Sequence, residues 1–365
     1  MKKSKIIFVG GFLGAGKTTL LNCASKILKS RSIKIGVITN DQAVGLVDTN
    51  ILQHNGLIVS EISGKCFCCD FNGLVDAIDY MVKVLHCELI LAEPVGSCTD
   101  LCSTLIQPLK KLFPNAFEVA PLSVLVDPLK LFATLKNLDS HKEGSGYIYI
   151  KQWEEADYIV VNKLDLLEND QIDELKDLIN TKFSDYPICW ISSQKSIGVE
   201  DWIVVILSDI KSGKRLANVD YDVYALCESR MGWYNASFMI GLENLTIMDW
   251  QGFNREILAL IQKEFESKKI IIAHVKTFLK SGVNFSAGNI INEIEGVDIR
   301  GTEFASRSVR MVINIRAETS HWTIDEIVND VLQSYMEHGF KFEMIAKKHF
   351  TPMRPEPIHR FGITC

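Results

Sequence analysis

The sequence predicts an α/β fold with a mostly parallel sheet and helices on both faces, followed by a smaller C-terminal α+β domain. Over about the first two hundred residues, short apolar runs alternate with helical patterns, which is typical of βαβ units. These runs are continuous stretches of Val, Ile and Leu, as expected for strands that are covered on both faces. The pattern changes after about residue 220, and 365 residues are enough for two domains with separate cores.

The strands of the first domain are predicted from apolar runs that end in glycine loops or polar segments. The first run leads into a glycine-rich loop, and a helical pattern from Lys17 to Lys29 follows that loop. The predicted strands cover residues 6–9, 33–39, 57–62, 89–92, 123–126, 158–161 and 188–191.

The second domain is predicted to begin after a polar stretch at residues 211–220, which gives domains of 1–212 and 220–365. Its element order is βαββαβ, the order of a compact ferredoxin-like module. The predicted strands cover residues 236–241, 270–278, 309–316 and 341–349, and the helices cover 253–267 and 324–339.

Composition excludes several classes of protein. The net charge is −6 and no run is rich in Lys or Arg, so neither nucleic acid nor a membrane surface is an expected partner. The charged N-terminus resembles the start of a signal peptide, but the apolar run after it is only Ile6 to Val9. We expect a cytoplasmic protein. The chain has ten cysteines, some of them clustered. In a reducing compartment, clustered cysteines are more often metal ligands or redox groups than disulfides.

The segment Gly11–Thr18 has the full G-x-x-x-x-G-K-[ST] pattern of a phosphate-binding loop between a strand and a helix. Its glycines allow the backbone N–H groups to surround phosphates at the start of a helix. Lys17 is expected to reach the β- and γ-phosphates, and the Thr18 hydroxyl to bind Mg²⁺. The predicted phosphate-binding residues are Gly11, Gly14, Ala15, Gly16, Lys17, Thr18 and Thr19.

A second nucleotide motif, Asn162-Lys163-Leu164-Asp165, follows the predicted strand 158–161. The Asp165 carboxylate can accept hydrogen bonds from the N1–H and the amino group of guanine, a pattern that adenine does not offer. Lys163 would lie along the base and Asn162 would brace the loop, so GTP is favoured over ATP. Ser193 is a candidate second contact on the guanine side, although an ordinary strand-ending turn explains it equally well.

Between these motifs, the strand 89–92 ends in Glu93-Pro94-Val95-Gly96. Glu93 is placed to bind Mg²⁺ through water, and the Gly96 N–H to contact the γ-phosphate, a contact that is lost on hydrolysis. The alternative is a strand end with a solvated acid. Lys17, Thr18 and Glu93 are therefore the candidate catalytic residues, and no general base can be named. Asp127 also ends a strand, but Asp127-Pro128 is equally typical of a turn.

Three cysteines stand within four residues, at Cys66, Cys68 and Cys69. If the chain turns there, the three sulfurs converge on one soft or borderline ion, of which Zn²⁺ is the commonest and Cu(I) or Ni²⁺ are alternatives. Zinc prefers four ligands, so one position remains for an acidic side chain, water or a partner, and an incomplete site suits metal transfer. The alternative is a cysteine-rich core strand.

Acidic residues are the candidates for the fourth ligand, and two of them, Asp41 and Asp48, lie in the segment 40–48, which we expect to act as the first switch. Cys98 and Cys102 follow the Glu93 loop and are expected to be packing residues, with a secondary metal or redox site as the alternative. The acidic candidates are Asp41, Asp48, Glu61 and Asp70.

Together these motifs resemble the CobW-like branch of metallochaperone P-loop GTPases, relatives of the GTPases that insert nickel into urease and hydrogenase. The resemblance covers about residues 4–210, and G-x-C-x-C-C is its most specific element. It rests on Gly11–Thr18, Asn40-Asp41 with Asp48, Gly64-Lys65-Cys66-Phe67-Cys68-Cys69, Glu93-Pro94-Val95-Gly96 and Asn162–Asp165.

The resemblance implies a slow GTPase that binds a metal in its switch region and delivers it to a client metalloprotein, or assists cofactor assembly there. A homodimer is compatible with it. The chain departs from the family in having Asp41 and Val44 where glutamates are usual, and it lacks a histidine-rich tract. The alternatives are a GTPase that gates cobalamin loading of a corrinoid enzyme, a small-molecule P-loop kinase, and a metal or redox sensor without turnover.

Overall fold

The computed structural model describes residues 3–41, 47–136, 144–243, 247–290 and 296–364. The chain divides into two compact units. Unit 1 comprises 1–42, 52–227 and 354–365, and unit 2 comprises 43–51 and 228–353. The predicted domains, 1–212 and 220–365, differ from these units because residues 47–51 belong to unit 2, whereas residues 220–227 and 354–364 belong to unit 1.

Unit 1 is built on a parallel sheet, as the sequence predicts. Its strands are β1 (Ser4–Gly11), β2 (Ile35–Asp41), β3 (Ile58–Ser63), β4 (Leu89–Glu93), β5 (Phe117–Val119), β6 (Ser123–Val126), β7 (Tyr158–Val161) and β8 (Ile188–Trp190). The strand order is β3-β2-β4-β1-β6-β7-β8, and the short strand β5 also pairs with β1. The sequence analysis did not predict β5, which is only three residues long.

Helices lie between these strands along the chain and after the last of them. They are α1 (Lys17–Ser30), α2 (Val47–His54), α3 (Phe71–Lys83), α4 (Gln107–Leu112), α5 (Pro128–Lys136), α6 (Ser145–Glu154), α7 (Asn169–Lys182), α8 (Val199–Leu207) and α9 (Tyr221–Ser229). A π-helical turn, Cys102–Ile106, precedes α4. Strand β1 stands between β4 and β6, and its side chains are almost all buried. The strand order reverses at β1, so its carboxyl end is where such folds bind ligands.

Unit 2 is built on an antiparallel sheet. Its elements are β9 (Gly232–Leu242), β10 (Met248–Asp249), α10 (Trp250–Ser267), β11 (Ile272–Ser281), β12 (Asn284–Ile290), β13 (Asp298–Gly301), β14 (Ala305–Ser306), β15 (Ser308–Ala317), α11 (His321–Met336) and β16 (Phe340–Phe350). The sheet order is β13-β12-β11-β15-β9-β16, while β10 pairs with β14. Among the described residues, no helix combines the length and the apolar character needed to cross a membrane.

Four strands of unit 2, in the order β16-β9-β15-β11, together with α10 and α11 form the ferredoxin-like arrangement that the sequence predicts. The additional strands β12 and β13 extend the β11 edge and were not predicted. A tight turn joins β11 to β12, and Gly282 in that turn has a φ of 60°, a conformation that suits glycine.

The start of helix α2 belongs to unit 2. Val47 is buried there beside Phe278 and Val312, and its backbone N–H donates to Asn314 Oδ1 over 2.8 Å. Residues 42–46, within the predicted first switch, lie outside the described residues.

Candidate functional site

The phosphate-binding loop connects β1 to α1 in a backbone conformation that depends on glycine. Gly11, Gly14 and Gly16 have φ values of 125°, 82° and 93°. A Cβ atom on Gly11 would lie 2.3 Å from the Leu125 carbonyl oxygen, so a side chain cannot be accommodated there. The glycines of the motif are therefore required by the shape of the loop itself.

Lys17 lies in the first turn of α1 and folds back over the loop. Its Nζ donates to the carbonyl oxygens of Gly11, over 2.8 Å, and Phe12, over 3.3 Å. The side chain is only 6% exposed, and its Nζ lies 4.0 Å from Glu93 Oε1. A buried ammonium held in this way is placed to meet the negative charge of phosphates that the loop surrounds.

Thr18 and Glu93 bring oxygen ligands together beside the loop. The Thr18 hydroxyl donates to the Glu93 carboxylate and lies 3.1 Å from each carboxylate oxygen. Glu93 ends β4, the neighbour of β1, which explains how residues 75 positions apart meet. A hydroxyl and a carboxylate are the hard oxygen donors that Mg²⁺ prefers, so these residues fit that ion. Thr19 is half-buried in the same turn of α1.

Asn162, at the end of β7, ties the guanine-side loops to the phosphate loop. Its Nδ2 donates to the Ala15 carbonyl oxygen over 2.9 Å, and its Oδ1 accepts from the N–H and the hydroxyl of Ser193, each over 2.9 Å. A Cβ atom on Gly16 would lie 2.3 Å from Asn162 Nδ2. The side chain of Asn162 therefore links Ala15 to Ser193.

Asp165 and Lys163 lie at the same edge of the sheet. Asp165 accepts a hydrogen bond from the hydroxyl of Ser192, a partner that the sequence analysis did not identify. Lys163 has a positive φ of 59°, and its Nζ forms an ion pair with Asp127 Oδ2 at 2.8 Å. Asp127 also accepts backbone N–H groups at the start of α5, so it both caps that helix and positions Lys163.

The loop after β4 is packed against the phosphate loop. A Cβ atom on Gly96 would lie 2.6 Å from Leu13 Cδ2, so only glycine allows this approach. The Cys98 N–H donates to the Val95 carbonyl oxygen over 2.9 Å, which closes a tight turn. Gln152 of α6 donates to the carbonyl oxygens of Gly96 and Cys98 over 3.0 and 2.8 Å. The turn from Val95 to Cys98 is therefore fixed at both ends.

The three clustered cysteines converge in a turn between β3 and α3. The Sγ atoms of Cys66 and Cys68 are 3.1 Å apart, those of Cys68 and Cys69 are 3.8 Å apart, and all three lie within 4.8 Å of one another. The turn forms because the Cys69 N–H donates to the Cys66 carbonyl oxygen over 3.0 Å. Cys66 and Cys68 are buried, and Cys69 is half-buried.

Asn40, the last residue but one of β2, holds this turn to the sheet. Its Nδ2 donates to the carbonyl oxygens of Ile62 and Lys65 over 3.0 and 2.8 Å, and its Oδ1 accepts from the Phe67 N–H over 2.8 Å. Asn40 is buried, so these three bonds are shielded from water. One amide side chain therefore links the end of β2 to the cysteine turn.

The three thiols differ in pKa because they make different hydrogen bonds within the cluster. Hydrogen bonds from Cys68, Cys69 and Cys98 lower the pKa of Cys66 well below its ordinary value. Hydrogen bonds with Cys66, Cys69 and Cys98 raise the pKa of Cys68 well above its ordinary value. The pKa of Cys69 is raised to about 11, chiefly by its hydrogen bond with Cys66. The cluster therefore concentrates thiolate character on Cys66, the form that binds metals.

The acidic candidates for a fourth ligand do not join the cysteines. Among the described residues, the group with mutually close ligand atoms contains the three cysteines and no carboxylate, so neither Asp41 nor Asp48 is part of it. Asp48 lies in unit 2, where Lys276 Nζ pairs with it at 2.6 Å and already neutralises its charge. Asp70 accepts from the Gly73 N–H over 3.2 Å and caps α3. Val44 lies outside the described residues.

A C-terminal segment that the sequence analysis did not consider covers the cysteine turn. The Glu356 N–H donates to Cys69 Sγ over 3.3 Å, and the Ile358 N–H donates to the Cys68 carbonyl oxygen over 2.9 Å. Further along, Arg360 Nε donates to Asp100 Oδ2 over 2.6 Å, a carboxylate that is 1% exposed. No local pattern in the sequence marks this segment, because its partners are remote in the chain, as Asp100 is from Arg360, 260 residues away.

Comparisons with known proteins relate this geometry to a family. The model of the CobW/HypB/UreG nucleotide-binding domain matches residues 5–189, just over half of the chain. Among curated proteins, the chain is similar to the zinc-regulated GTPase metalloprotein activator 1 of Dictyostelium discoideum, with 23% identity over 209 residues. The alignment covers 49% of this chain and 43% of that relative, so the chain spans less than half of the relative's length.

Solved structures show more distant similarity. HypB from Helicobacter pylori in complex with nickel is 18% identical, with a TM-score of 0.38, and the match covers 54% of this chain and 82% of that one. The Zn(II)-bound YjiA GTPase from E. coli is 16% identical, with a TM-score of 0.37 and coverage of 91% and 99%. Similarity at this distance says nothing about what this chain binds.

Proposed function

Since this chain belongs to the CobW/HypB/UreG family, we propose that it is a GTP-hydrolysing metallochaperone. In this proposal it binds a transition metal, Zn²⁺ before Ni²⁺ or Cu(I), at Cys66, Cys68 and Cys69. GTP binding and hydrolysis then control delivery of the metal to a client metalloprotein, or assembly of its metal cofactor, in the cytoplasm. The observation that carries the proposal is the convergence of three sulfurs at the sheet edge that also bears the phosphate-binding loop.

The nucleotide is assigned to the carboxyl edge of the sheet. The loop from Gly11 to Thr18 surrounds the phosphates with N–H groups, and Lys17 neutralises their charge. Thr18 and Glu93 would hold Mg²⁺, which supplies further charge neutralisation when it is bound. Asp165 would accept the hydrogen bonds of guanine. Asn162 would keep the phosphate and base loops in register through its bonds to Ala15 and Ser193.

The coupling of nucleotide to metal is proposed to run through two short paths. Asn40 stands at the end of β2, at the start of the predicted first switch, and makes three hydrogen bonds to the cysteine turn. Gly96 stands in the loop that follows Glu93, against the phosphate loop. A γ-phosphate that orders both segments would fix the positions of the sulfurs, and hydrolysis would loosen them.

Two features support metal delivery over permanent storage. The cysteine turn supplies only three of the four ligands that zinc prefers, so the fourth must come from another part of the chain, from water or from a partner, and a ligand of that kind can be exchanged. The curated relative is named as a zinc-regulated metalloprotein activator, which supports zinc as the first metal to examine and a metalloprotein as the client. A homodimer remains compatible with the proposal, since the water-positioning group is not identified.

The proposal is tested by anaerobic titration of the full chain with Zn²⁺ in the presence of GTP or GDP. Wild type is expected to bind one ion with an affinity that depends on the nucleotide. The triple variant Cys66→Ser, Cys68→Ser, Cys69→Ser is expected to lose this binding while it retains nucleotide binding. A matched control is Cys189→Ser, a half-buried thiol on β8 outside the cluster. Equal zinc affinities in the two nucleotide states would refute the coupling.

A further inference from the structure

A fourth sulfur, that of Cys98, touches the cysteine cluster. Cys98 is 3% exposed, and its thiol is hydrogen-bonded to both Cys66 and Cys68. It lies 29 residues beyond Cys69 in the chain. Local spacing therefore gave no reason to join it to the cluster, and it was expected to be a packing residue. A buried thiol in contact with two candidate ligands is itself a candidate ligand.

The topology of the sheet explains this contact. The cysteine turn follows β3, and Cys98 lies in the loop that follows β4. Both strands are parallel neighbours of β2, one on each side. The carboxyl ends of parallel strands meet at one edge of the sheet, so the two loops approach each other across the end of β2. Asn40, near the end of β2, donates hydrogen bonds to Ile62 and Lys65 and so holds the cysteine turn beside the end of that strand.

We propose that Cys98 is the fourth ligand of the metal site, which makes it a four-sulfur site for Zn²⁺ or another thiophilic ion. This assignment rests on the proposed metal-binding function and replaces its open position. Tetrahedral zinc with Zn–S bonds of about 2.3 Å requires sulfurs about 3.8 Å apart. The Cys68 and Cys69 sulfurs already have that separation, 3.8 Å. Cys98 is not in the group whose ligand atoms all lie within 4.8 Å of one another, so tetrahedral binding requires its sulfur to move closer to at least one of the other three.

The position of Cys98 would connect the metal site to the phosphate loop. The turn from Val95 to Cys98 contains Gly96, whose backbone packs against Leu13 of the phosphate loop. Gln152 donates to the carbonyl groups of both Gly96 and Cys98, so one side chain links the two residues. Three sulfurs therefore belong to the turn after β3, and the fourth belongs to the loop that meets the γ-phosphate. A change at Gly96 on hydrolysis would pull one ligand from the metal.

The test uses Co²⁺ as a spectroscopic probe in the full chain, under anaerobic conditions and with GTP present. Thiolate-to-cobalt charge-transfer absorbance grows with the number of bound thiolates, and X-ray absorption counts the sulfurs directly. Wild type is expected to show four sulfurs. Cys98→Ser is expected to show three, with about three quarters of the absorbance and a lower metal affinity.

The matched control is Cys102→Ser. Cys102 is fully buried four residues further on, where its sulfur accepts from Gln107 Nε2 over 3.4 Å. It should leave the sulfur count and the affinity unchanged. Cys98→His, which restores a metal ligand at the position, is expected to recover four-coordinate binding with three sulfurs and one nitrogen. Nucleotide affinity of each variant shows that it is folded.

The outcomes separate this inference from the function on which it rests. If wild type binds no Co²⁺ or Zn²⁺, the metal function fails and the four-sulfur site fails with it. If wild type binds Co²⁺, Cys66→Ser abolishes binding and Cys98→Ser keeps the full absorbance and affinity, only the assignment of Cys98 is overturned. Loss of one sulfur in Cys98→Ser, with Cys102→Ser unchanged, supports the assignment.

Discussion

The nucleotide site and the cysteine site occupy the same edge of the sheet but are assembled in different ways. At the nucleotide site, each motif is contiguous in sequence, and Lys17 and Thr18 lie together in the first turn of α1. At the cysteine site, the motif supplies three sulfurs, while Asn40, Cys98 and Glu356 reach it from other parts of the chain. The comparison shows that a motif can define a site's centre without defining its surroundings.

The difference predicts that the two sites can be disabled separately. Lys17→Ala removes the buried ammonium at the phosphate loop, and we expect GTP turnover to fall by about 10²–10³-fold, as for loss of one preorganised charge in other enzymes. Zinc binding by the cysteines should persist. Phosphate release and zinc titration check the two expectations.

Lys176→Ala is the control for that variant, because Lys176 is an exposed helix residue paired with Asp173. It should change neither activity. Loss of zinc binding in Lys17→Ala, with the fold intact, would show that the two sites are a single unit.

The cysteine site should respond to pH much more than the nucleotide site. Cys66 has a lowered pKa, whereas Cys68 and Cys69 have raised values and still carry protons at neutral pH. Metal binding displaces those protons, so the apparent affinity rises with pH, by about tenfold per displaced proton for each pH unit. The protons of Cys68 and Cys69 alone therefore give roughly a hundredfold per unit over the neutral range. Competition titrations with a chelator of known pH dependence measure this slope, and a flat profile would contradict the pKa assignments.

At the nucleotide site, Asp165→Asn should change which base is bound. The substituted amide no longer accepts from both guanine donors, so we expect GTP affinity to fall by about tenfold or more. Xanthosine triphosphate, whose oxygen replaces the amino group of guanine, should bind better to the variant than to wild type. Fluorescent nucleotide titrations test the reversal. An unchanged preference for GTP would mean that Asp165 does not face the base.

The smallest effect is expected where the C-terminal segment meets the cysteine turn. Arg360→Met leaves the buried Asp100 carboxylate with only the Tyr221 hydroxyl as its side-chain donor among the described residues. Because Arg360 is partly exposed, we expect a loss of about 1 kcal/mol in unfolding free energy. Faster zinc release should accompany it, since the segment that covers Cys69 is loosened.

Arg354→Met is the matched control, because Arg354 pairs with an exposed residue, Asp222, in the same segment. Denaturant unfolding and zinc release should be close to wild type in that variant. If both variants behave alike, the ion pair with Asp100 does not fasten the segment.

The sequence predicted those parts of the molecule that follow from local patterns. The parallel sheet, the glycine loop and the ferredoxin-like order were all predicted from runs and periodicities. The role of Cys98 was not, because it depends on β3 and β4 flanking β2 in space. The sequence made Asp48 a candidate ligand, but in the structure its carboxylate forms an ion pair with Lys276, which no local pattern predicts. The contact of residues 354–365 with the cysteine turn consists largely of backbone hydrogen bonds, which no side-chain pattern encodes.

The central claim is that the nucleotide state controls the metal, and a single-turnover experiment tests it most directly. The zinc-loaded protein is mixed with GTP and Mg²⁺ in the presence of a chromophoric chelator, and phosphate and zinc release are followed together. We predict slow transfer while GTP remains bound and faster transfer that follows phosphate release, with slow transfer persisting when a non-hydrolysable analogue replaces GTP. Equal transfer rates with GTP, the analogue and GDP would contradict the claim.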